Sequence, residues 1–481
     1  MPPVTKHLDY DLDTPILPFS ESDALTARDS LEGTFIAAAP GGGKTANIGK
    51  NLAYGMLRQG WGGLILVAKP EETRNWLTYA KACGRESDVI LFNEKSGHCF
   101  DPLFYEWNRP GRGAGDQEAI IDFFSTMLSI GRKEAGHGHD PFWERGTEQL
   151  MRNDIKLLEL SGERVSISNM DRVIKSLPTR PGEFEEADWQ KNSYCASLIN
   201  AIRQRKDTLT PWQWSDLDVA TQYALKKWPA FDERPRSSLE MTWSGMADKF
   251  LFNPLNRVFC SGKCTFVPEM TTHQRKLVIV DWPMLEYGHE TGRLINVLMK
   301  LSFQRAWLRR DLSEAPMPTF LWQDEFQYFI TRRDNFFQQT CRSARTAVVC
   351  ITQNILNLSE ELGEQQPGSK TKAFLGNLAL KVFGQQNDPD TNLYGADLIG
   401  RQWRFIPSYG SGNAEGPSVG GSSQLVHKVE PDSFTRLLKP DGGQPLCAAI
   451  VYQGGKTFNA SKSRQTPEGT NHLTVHFSRD I

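Results

Sequence analysis

Eight residues, Ala38-Ala39-Pro40-Gly41-Gly42-Gly43-Lys44-Thr45, constrain this chain more than any other segment. An apolar run from Thr34 to Ala39 leads into them, and a helical pattern from Lys44 to Gln59 leads out. Three glycines between a strand and a helix remove the Cβ atoms that would fill a tight turn, and they permit positive φ. The backbone N–H groups can then point inward at an anion, and the start of the helix adds its dipole. This is the pattern of a phosphate-binding loop, in which Lys44 reaches the β- and γ-phosphates and the Thr45 hydroxyl ligates Mg²⁺. Ala38 stands where the strict pattern has its first glycine. Ala39, Pro40, Gly41, Gly42, Gly43, Lys44 and Thr45 are the expected nucleotide-binding residues. The plain alternative is a glycine-rich turn before a helix.

A partner motif separates the two readings. Phe320-Leu321-Trp322-Gln323-Asp324-Glu325 is an apolar strand ending in two acids. Asp324 is expected to hold Mg²⁺ through its water shell and Glu325 to polarise an attacking water. Val278-Ile279-Val280-Asp281 also ends an apolar strand in an acid, but it lacks the second carboxylate and Trp282-Pro283 follows at once. Asp281 is therefore assigned a structural role. Twenty-nine residues beyond Asp324, Gln353 ends the buried run Ala347 to Thr352, leaving room for one helix and one strand between them. An amide there can sense the γ-phosphate without adding charge. The helix expected near Asp334 to Ser343 is read as carrying Arg342 and Arg345, candidates for completing a neighbouring subunit's site, with Arg342 first. The alternative is a solvated or salt-bridged arginine.

At 481 residues the chain exceeds one ordinary core. Strands at Leu64 to Val67, Val89 to Phe92, Leu277 to Asp281 and Thr319 to Trp322 alternate with helices, which implies a mostly parallel α/β sheet. Between them the texture is helical: Gln117 to Ile130, Pro141 to Leu160 (Asp140 as N-cap), Asn169 to Leu177, Asp188 to Lys206 and Asp216 to Lys227. The expected organisation is an α/β domain in two parts, 1–104 and 251–407, interrupted by an all-α domain over 105–250. Residues 408–481 are expected to form a Gly/Ser loop, mobile over Ser408 to Ser423, then a strand-rich segment packed on the α/β domain.

Composition excludes some classes and leaves others open. A formal net charge of −2 denies a global basic field but permits a local one. Eight scattered cysteines read as reduced thiols of a cytoplasmic protein, with Cys260 and Cys264 too isolated to complete a zinc set. No apolar run approaches the roughly 20 residues of a membrane helix, and no signal peptide is expected at the N-terminus. Any membrane association is expected to come through a partner.

Taken in order, Leu25-Thr26-Ala27-Arg28-Asp29, Ala39 to Thr45, Val67-Ala68-Lys69-Pro70-Glu71 and Phe100-Asp101-Pro102-Leu103 resemble the type IV coupling proteins of the TraG/TraD kind. So do Asp140 to Glu144, Asp324-Glu325-Phe326, Thr352-Gln353-Asn354 and Leu375-Gly376-Asn377, the whole spanning about residues 15 to 400. The resemblance implies a RecA-like P-loop ATPase, related to the FtsK and HerA motors, that forms a hexameric ring. It would use ATP and Mg²⁺ to move DNA and link a relaxase-bound substrate to a membrane secretion channel. Lys44, Glu325, Gln353 and Arg342 would be catalytic, and Thr45 and Asp324 would hold the metal. Two departures stand out: the family's usual N-terminal membrane helices are not seen, and Ala68 replaces the acid that often precedes Lys69.

Candidate DNA contacts are Arg203, Arg205, Lys206, Lys226, Lys227, Arg309, Arg310, Arg332 and Arg333, with Trp212, Trp214, Trp228 and Trp307 among or near several of them. Basic residues beside aromatics can contact phosphate and stack a base, with single- or double-stranded substrate left open. Solvated helix faces and core tryptophans are the alternative. A P-loop ATPase acting on protein, without a grip on DNA, is the rival reading. A small-molecule kinase is disfavoured by the 280 residues between Lys44 and Asp324.

Overall fold

Short apolar runs bracketed by turns become strands, in chain order β1 (Pro15–Pro18), β2 (Ala24–Thr26), β3 (Thr34–Ala37), β4 (Gly62–Leu66), β5 (Val89–Phe92), β6 (Leu277–Val280), β7 (Thr319–Gln323), β8 (Thr346–Thr352), β9 (Leu380–Phe383), β10 (Arg401–Gly412), β11 (Gly416–His427), β12 (Leu446–Gln453) and β13 (His472–Ser478). The computed structural model describes residues 10–134, 141–412, 416–441 and 443–480. Nine strands form one sheet in the order β13-β12-β9-β3-β8-β7-β4-β6-β5. From β9 to β6 every neighbouring pair is parallel, while β12 and β13 add antiparallel strands beyond β9. All residues of β3, β4, β6, β7, β8 and β9 are buried. Strands covered on both faces by helices need no polar side, so they read as unbroken apolar runs.

The chain divides into two compact units. One comprises the residues up to Ile90, Pro268–Glu286 and the chain from Phe303 onward; the other is Leu91–Val267 with Tyr287–Ser302. The second unit is built on the helices Gln117–Glu134, Pro141–Ser161, Ile167–Lys175, Tyr194–Gln204, Pro211–Gln222 and Glu233–Leu251. Its core holds Phe124 against Trp243, whose indole N–H donates to Asp171 Oδ1 at 3.2 Å. The N-cap expected at Asp140 lies outside the described residues. Among the described residues no helix is long and apolar enough to cross a membrane.

Four local expectations need correction. The helix expected over Asp188 to Lys206 is two helices, Ala187–Asn192 and Tyr194–Gln204. Ser193 breaks it: its hydroxyl accepts from Ala196 N–H at 3.1 Å and donates to Ser176 O at 2.8 Å, the local bonding by which serine favours caps over helix interiors. The helix from Lys44 opens as a π-turn, Lys44–Gly49, before α-geometry over Lys50–Arg58. Arg342 and Arg345 lie in turns beyond the helix Arg332–Thr340, not on it. The segment Ser408 to Ser423 is not a loop but the outer part of an antiparallel ribbon, β10 and β11, paired from Arg401–His427 to Gly412–Gly416. Glycine and serine weaken a strand's packing without preventing its backbone ladder from forming.

Candidate nucleotide-hydrolysis site

The parallel strands all end at one edge of the sheet, and the chemistry-bearing residues follow those ends. The glycine-rich turn leaves β3, Asp324 and Glu325 leave β7, and Gln353 leaves β8, which lies between them. Ala39 N–H donates to Gln385 O at 2.8 Å, and Gly42 N–H donates back to Ala39 O at 2.9 Å. Gly43 has φ of 84°, and a Cβ there would fall 2.9 Å from Cys447 Sγ beneath the loop. Only glycine fits both the conformation and the space. Gly49 allows close approach at the other end of the π-turn, since a Cβ would lie 3.2 Å from Ile351 Cδ1 and 3.3 Å from Trp322 Cζ2. Asn47 donates to Pro445 O at 2.7 Å and Phe477 O at 2.9 Å, tying this turn to the C-terminal strands.

Asp324 and Glu325 are both buried, and they meet the loop as a pair. Thr45 Oγ1 donates to Asp324 Oδ2 at 2.6 Å, and Lys44 Nζ lies 3.1 Å from Glu325 Oε1. Gln353 Nε2 lies 3.3 Å from the same Glu325 oxygen. Lys44, Thr45, Asp324, Glu325 and Gln353 are therefore brought together. Glu325 adopts a left-handed conformation, φ 51° and ψ 47°, which costs roughly 1–2 kcal/mol for a residue with a Cβ. Its N–H on Asp324 Oδ1 at 2.9 Å and its carboxylate contacts hold it there. Strain of this kind gathers at functional sites.

The electrostatics separate the two acids. Burial pushes the Asp324 carboxyl above its usual range, against the opposing pull of Lys44 and Thr45. Burial acts on Glu325 too, but Lys44, Lys69 and Gln327 outweigh it and bring the carboxyl down to about 2. Lys69 and Gln327 are the site residues that sequence reasoning missed. Lys69 Nζ is 2.5 Å from Glu325 Oε1, and Gln327 Nε2 is 2.9 Å from Oε2. Lys69 follows β4 at the same sheet edge, and only the pairing of β4 with β7 brings it to Glu325. Behind Lys69, Glu72 accepts Ala68 N–H at 2.8 Å; burial, then the charge of Asp324, push its carboxyl well above the usual range.

The residues present fit a magnesium nucleotide. The N–H groups of Gly43, Lys44 and Thr45 open a helix and so have no intrahelical acceptor, the glycines leave the cradle clear, and one hydroxyl and one carboxylate converge at 2.6 Å. Asp281 instead accepts from Thr73 Oγ1 at 2.6 Å. Arg342 is paired with Glu32 Oε1 at 3.0 Å, where both β3 and β8 begin. It lies at the opposite edge of the sheet from Lys44.

The basic candidates fall into two groups. Arg203, Arg205, Lys226 and Lys227 are exposed in the helical unit, and Arg333 is exposed on the helix Arg332–Thr340. Lys226 and Lys227 line a cleft of about 640 Å³ with Arg152 and Lys156. The side chains of Lys206 and Arg332 lie outside the described residues. Trp228 and Trp307 are core residues, fully buried, rather than stacking platforms. Arg310 spends its guanidinium on Met317 O and Arg345 O, and burial brings its pKa down to about 10.

Residues 318–441 match the family described as the TraM recognition site of TraD and TraG. The bacterial conjugative coupling protein TrwB in unbound form superposes with a TM-score of 0.55 at 14% identity, over 94% of this chain and 86% of that one. Plasmid coupling protein TrwB in complex with the non-hydrolysable GTP analogue GDPNP gives 0.56 at 15%, covering 94% and 87%. TrwB in complex with ADP and Mg²⁺ gives 0.50 at 15%, again covering 94% and 87%. No curated protein matches the sequence. Residues 318–441 thus match a segment of TraD and TraG, and the chain as a whole shares the fold of the coupling protein TrwB.

Proposed function

We propose that this protein is an oligomeric ATPase that uses hydrolysis to move DNA, as a coupling protein of a conjugative or type IV secretion system. The observation that carries the reading is the double pairing of Lys44 with Glu325 and Thr45 with Asp324 across β8. When bound, Mg-ATP supplies the γ-phosphoryl group and a metal charge to stabilise its transfer. Lys44 would exchange Glu325 for the phosphates, which Ala39 to Thr45 would cradle. Thr45 and Asp324 would hold the metal. Lys69 and Gln327 keep Glu325 ionised and aimed, so that it accepts a hydrogen bond from the attacking water. Gln353 reports on the γ-position, and Arg342 serves the site of a neighbouring subunit in a ring, six-membered by the family resemblance.

The all-α domain over 105–250 and the exposed Arg203, Arg205, Lys226, Lys227 and Arg333 are the DNA-facing candidates within this reading. A relaxase is the expected partner, with the protein held in the cytoplasm and reaching the membrane through an anchor or channel protein. The match of residues 318–441 to a recognition segment favours a second reading, in which the ATPase acts through a protein partner without gripping DNA.

ATP hydrolysis measured with and without single- and double-stranded DNA at moderate salt separates the two. Stimulation and salt-sensitive binding are expected; their absence would favour the protein-handling reading. Glu325→Gln should bind nucleotide at near wild-type affinity and lose at least about a hundredfold in turnover. Surviving turnover would show that another group polarises the water.

A further inference from the structure

The ribbon β10–β11 is a two-stranded sheet of its own, and the described residues 401–408 and 420–425 are exposed. An isolated two-stranded ribbon is marginal in water, so large apolar side chains kept on its surface call for an occupant. Trp403 is 72% exposed and Phe405 62% exposed. Two residues apart on one strand, they share a face. Leu425, opposite Trp403 in the register, joins them on it. Phe405 is seated on Gly421, where a Cβ would fall 2.1 Å from its Cζ.

From this geometry we propose that the ribbon binds single-stranded DNA, with Trp403 and Phe405 stacking on bases along one face. The inference rests on the DNA-motor reading above and names the element that grips. Side chains two apart on a strand are roughly 6.8 Å apart. That is about twice the 3.4 Å spacing of stacked bases, so one base fits between the two rings. The described residues of both strands carry Arg401, Arg404 and His427 and no carboxylate. Arg401 and His427 are held at the base of the ribbon by Asp397, at 3.1 and 2.9 Å. Arg404 alternates with the rings and so lies on the opposite face, with no ion pair among the described residues. The remaining positions are largely Ser, Gly and Gln, which hydrogen-bond but do not complete a dry interface. Exposed rings, on a ribbon whose described residues carry cations and no carboxylate, complement a polyanion with exposed base faces. A duplex keeps those faces stacked, which selects the single strand.

The test is fluorescence anisotropy of a labelled oligothymidine and of a duplex of equal length, across salt, with the full-length protein. Its variants are Trp403→Ala/Phe405→Ala and Trp403→Tyr/Phe405→Tyr. The alanine pair is expected to weaken single-strand binding about tenfold or more, leaving DNA-free ATP hydrolysis unchanged, and the tyrosine pair to restore most of the affinity. If wild type binds and the alanine pair binds equally well, the ribbon is not the grip, and the motor reading stands without it. If wild type binds neither DNA, both fall together. Loss of oligomer size by sedimentation in the alanine pair, or a preference for duplex that the rings do not affect, would overturn the assignment in favour of self-association or groove binding.

Discussion

Glu325 and Asp154 are both buried acids, and their neighbours send them opposite ways. Glu325 meets two ammonium groups and two amides, and its carboxyl falls to about 2. Asp154, on the helix Pro141–Ser161, is fully enclosed; its Oδ2 has no hydrogen-bond partner among the described residues, and burial pushes its carboxyl well above the usual range. The folded state therefore holds the Asp154 proton more tightly than the unfolded chain does. Its stabilising proton is bound in both states below about pH 4. As pH rises from there toward the folded value, the unfolded chain loses its proton first and folding is progressively penalised. Asp154→Asn removes that dependence. Relative to wild type, the variant should gain stability between pH 5 and 8, by up to about 1.4 kcal/mol per pH unit over the interval. Denaturant melts at both ends of that range measure the gain, and parallel pH profiles would mean that Asp154 is not the buried acid that titrates.

The glycine-rich turn makes a sharper prediction as a unit. Gly41 and Gly43 both have positive φ, 73° and 84°, but a Cβ at 41 meets nothing within 4 Å while one at 43 meets Cys447. Gly41→Ala carries only the backbone strain, about 1–3 kcal/mol, whereas Gly43→Ala must also displace β12. Titration with a fluorescent ATP analogue should show the position-43 variant as the weaker binder by about tenfold or more. Equal losses would mean that the loop reshapes freely. That loop was readable from sequence because its residue types answer one local demand, and the strands were readable because burial on both faces leaves no polar positions. The site was partly readable for the same reason: Asp324, Glu325 and Gln353 each end an apolar run. Lys69 was overlooked because a lysine after Ala68 has no local signature; its meaning comes from β4 lying beside β7. The ribbon was misread because Gly and Ser report flexibility, while its ladder depends on pairing across the turn.

As a catalytic residue, Arg342 would act only in an assembly. β3 and β8 run parallel, with Glu32 and Arg342 just before their starts and Lys44 and Gln353 past their ends. The seven residues of β8 therefore put roughly 20 Å of strand between Arg342 and the phosphate loop of its own chain. It can assist hydrolysis only from a neighbouring subunit, as head-to-tail packing in a ring would allow. The Glu32 pair is half exposed, so Arg342→Ala should cost less than about 1 kcal/mol of stability, and a loss of turnover would not reflect unfolding. Arg342→Ala chains keep Glu325, and Glu325→Gln chains keep Arg342; each alone should be nearly inactive. Mixed one to one and reassembled, about a quarter of the sites in a head-to-tail ring would pair an intact Glu325 with a neighbour's Arg342. ATP hydrolysis should recover toward that fraction of wild type. A mixture as inactive as its components would leave Arg342 as a partner of Glu32 and nothing more.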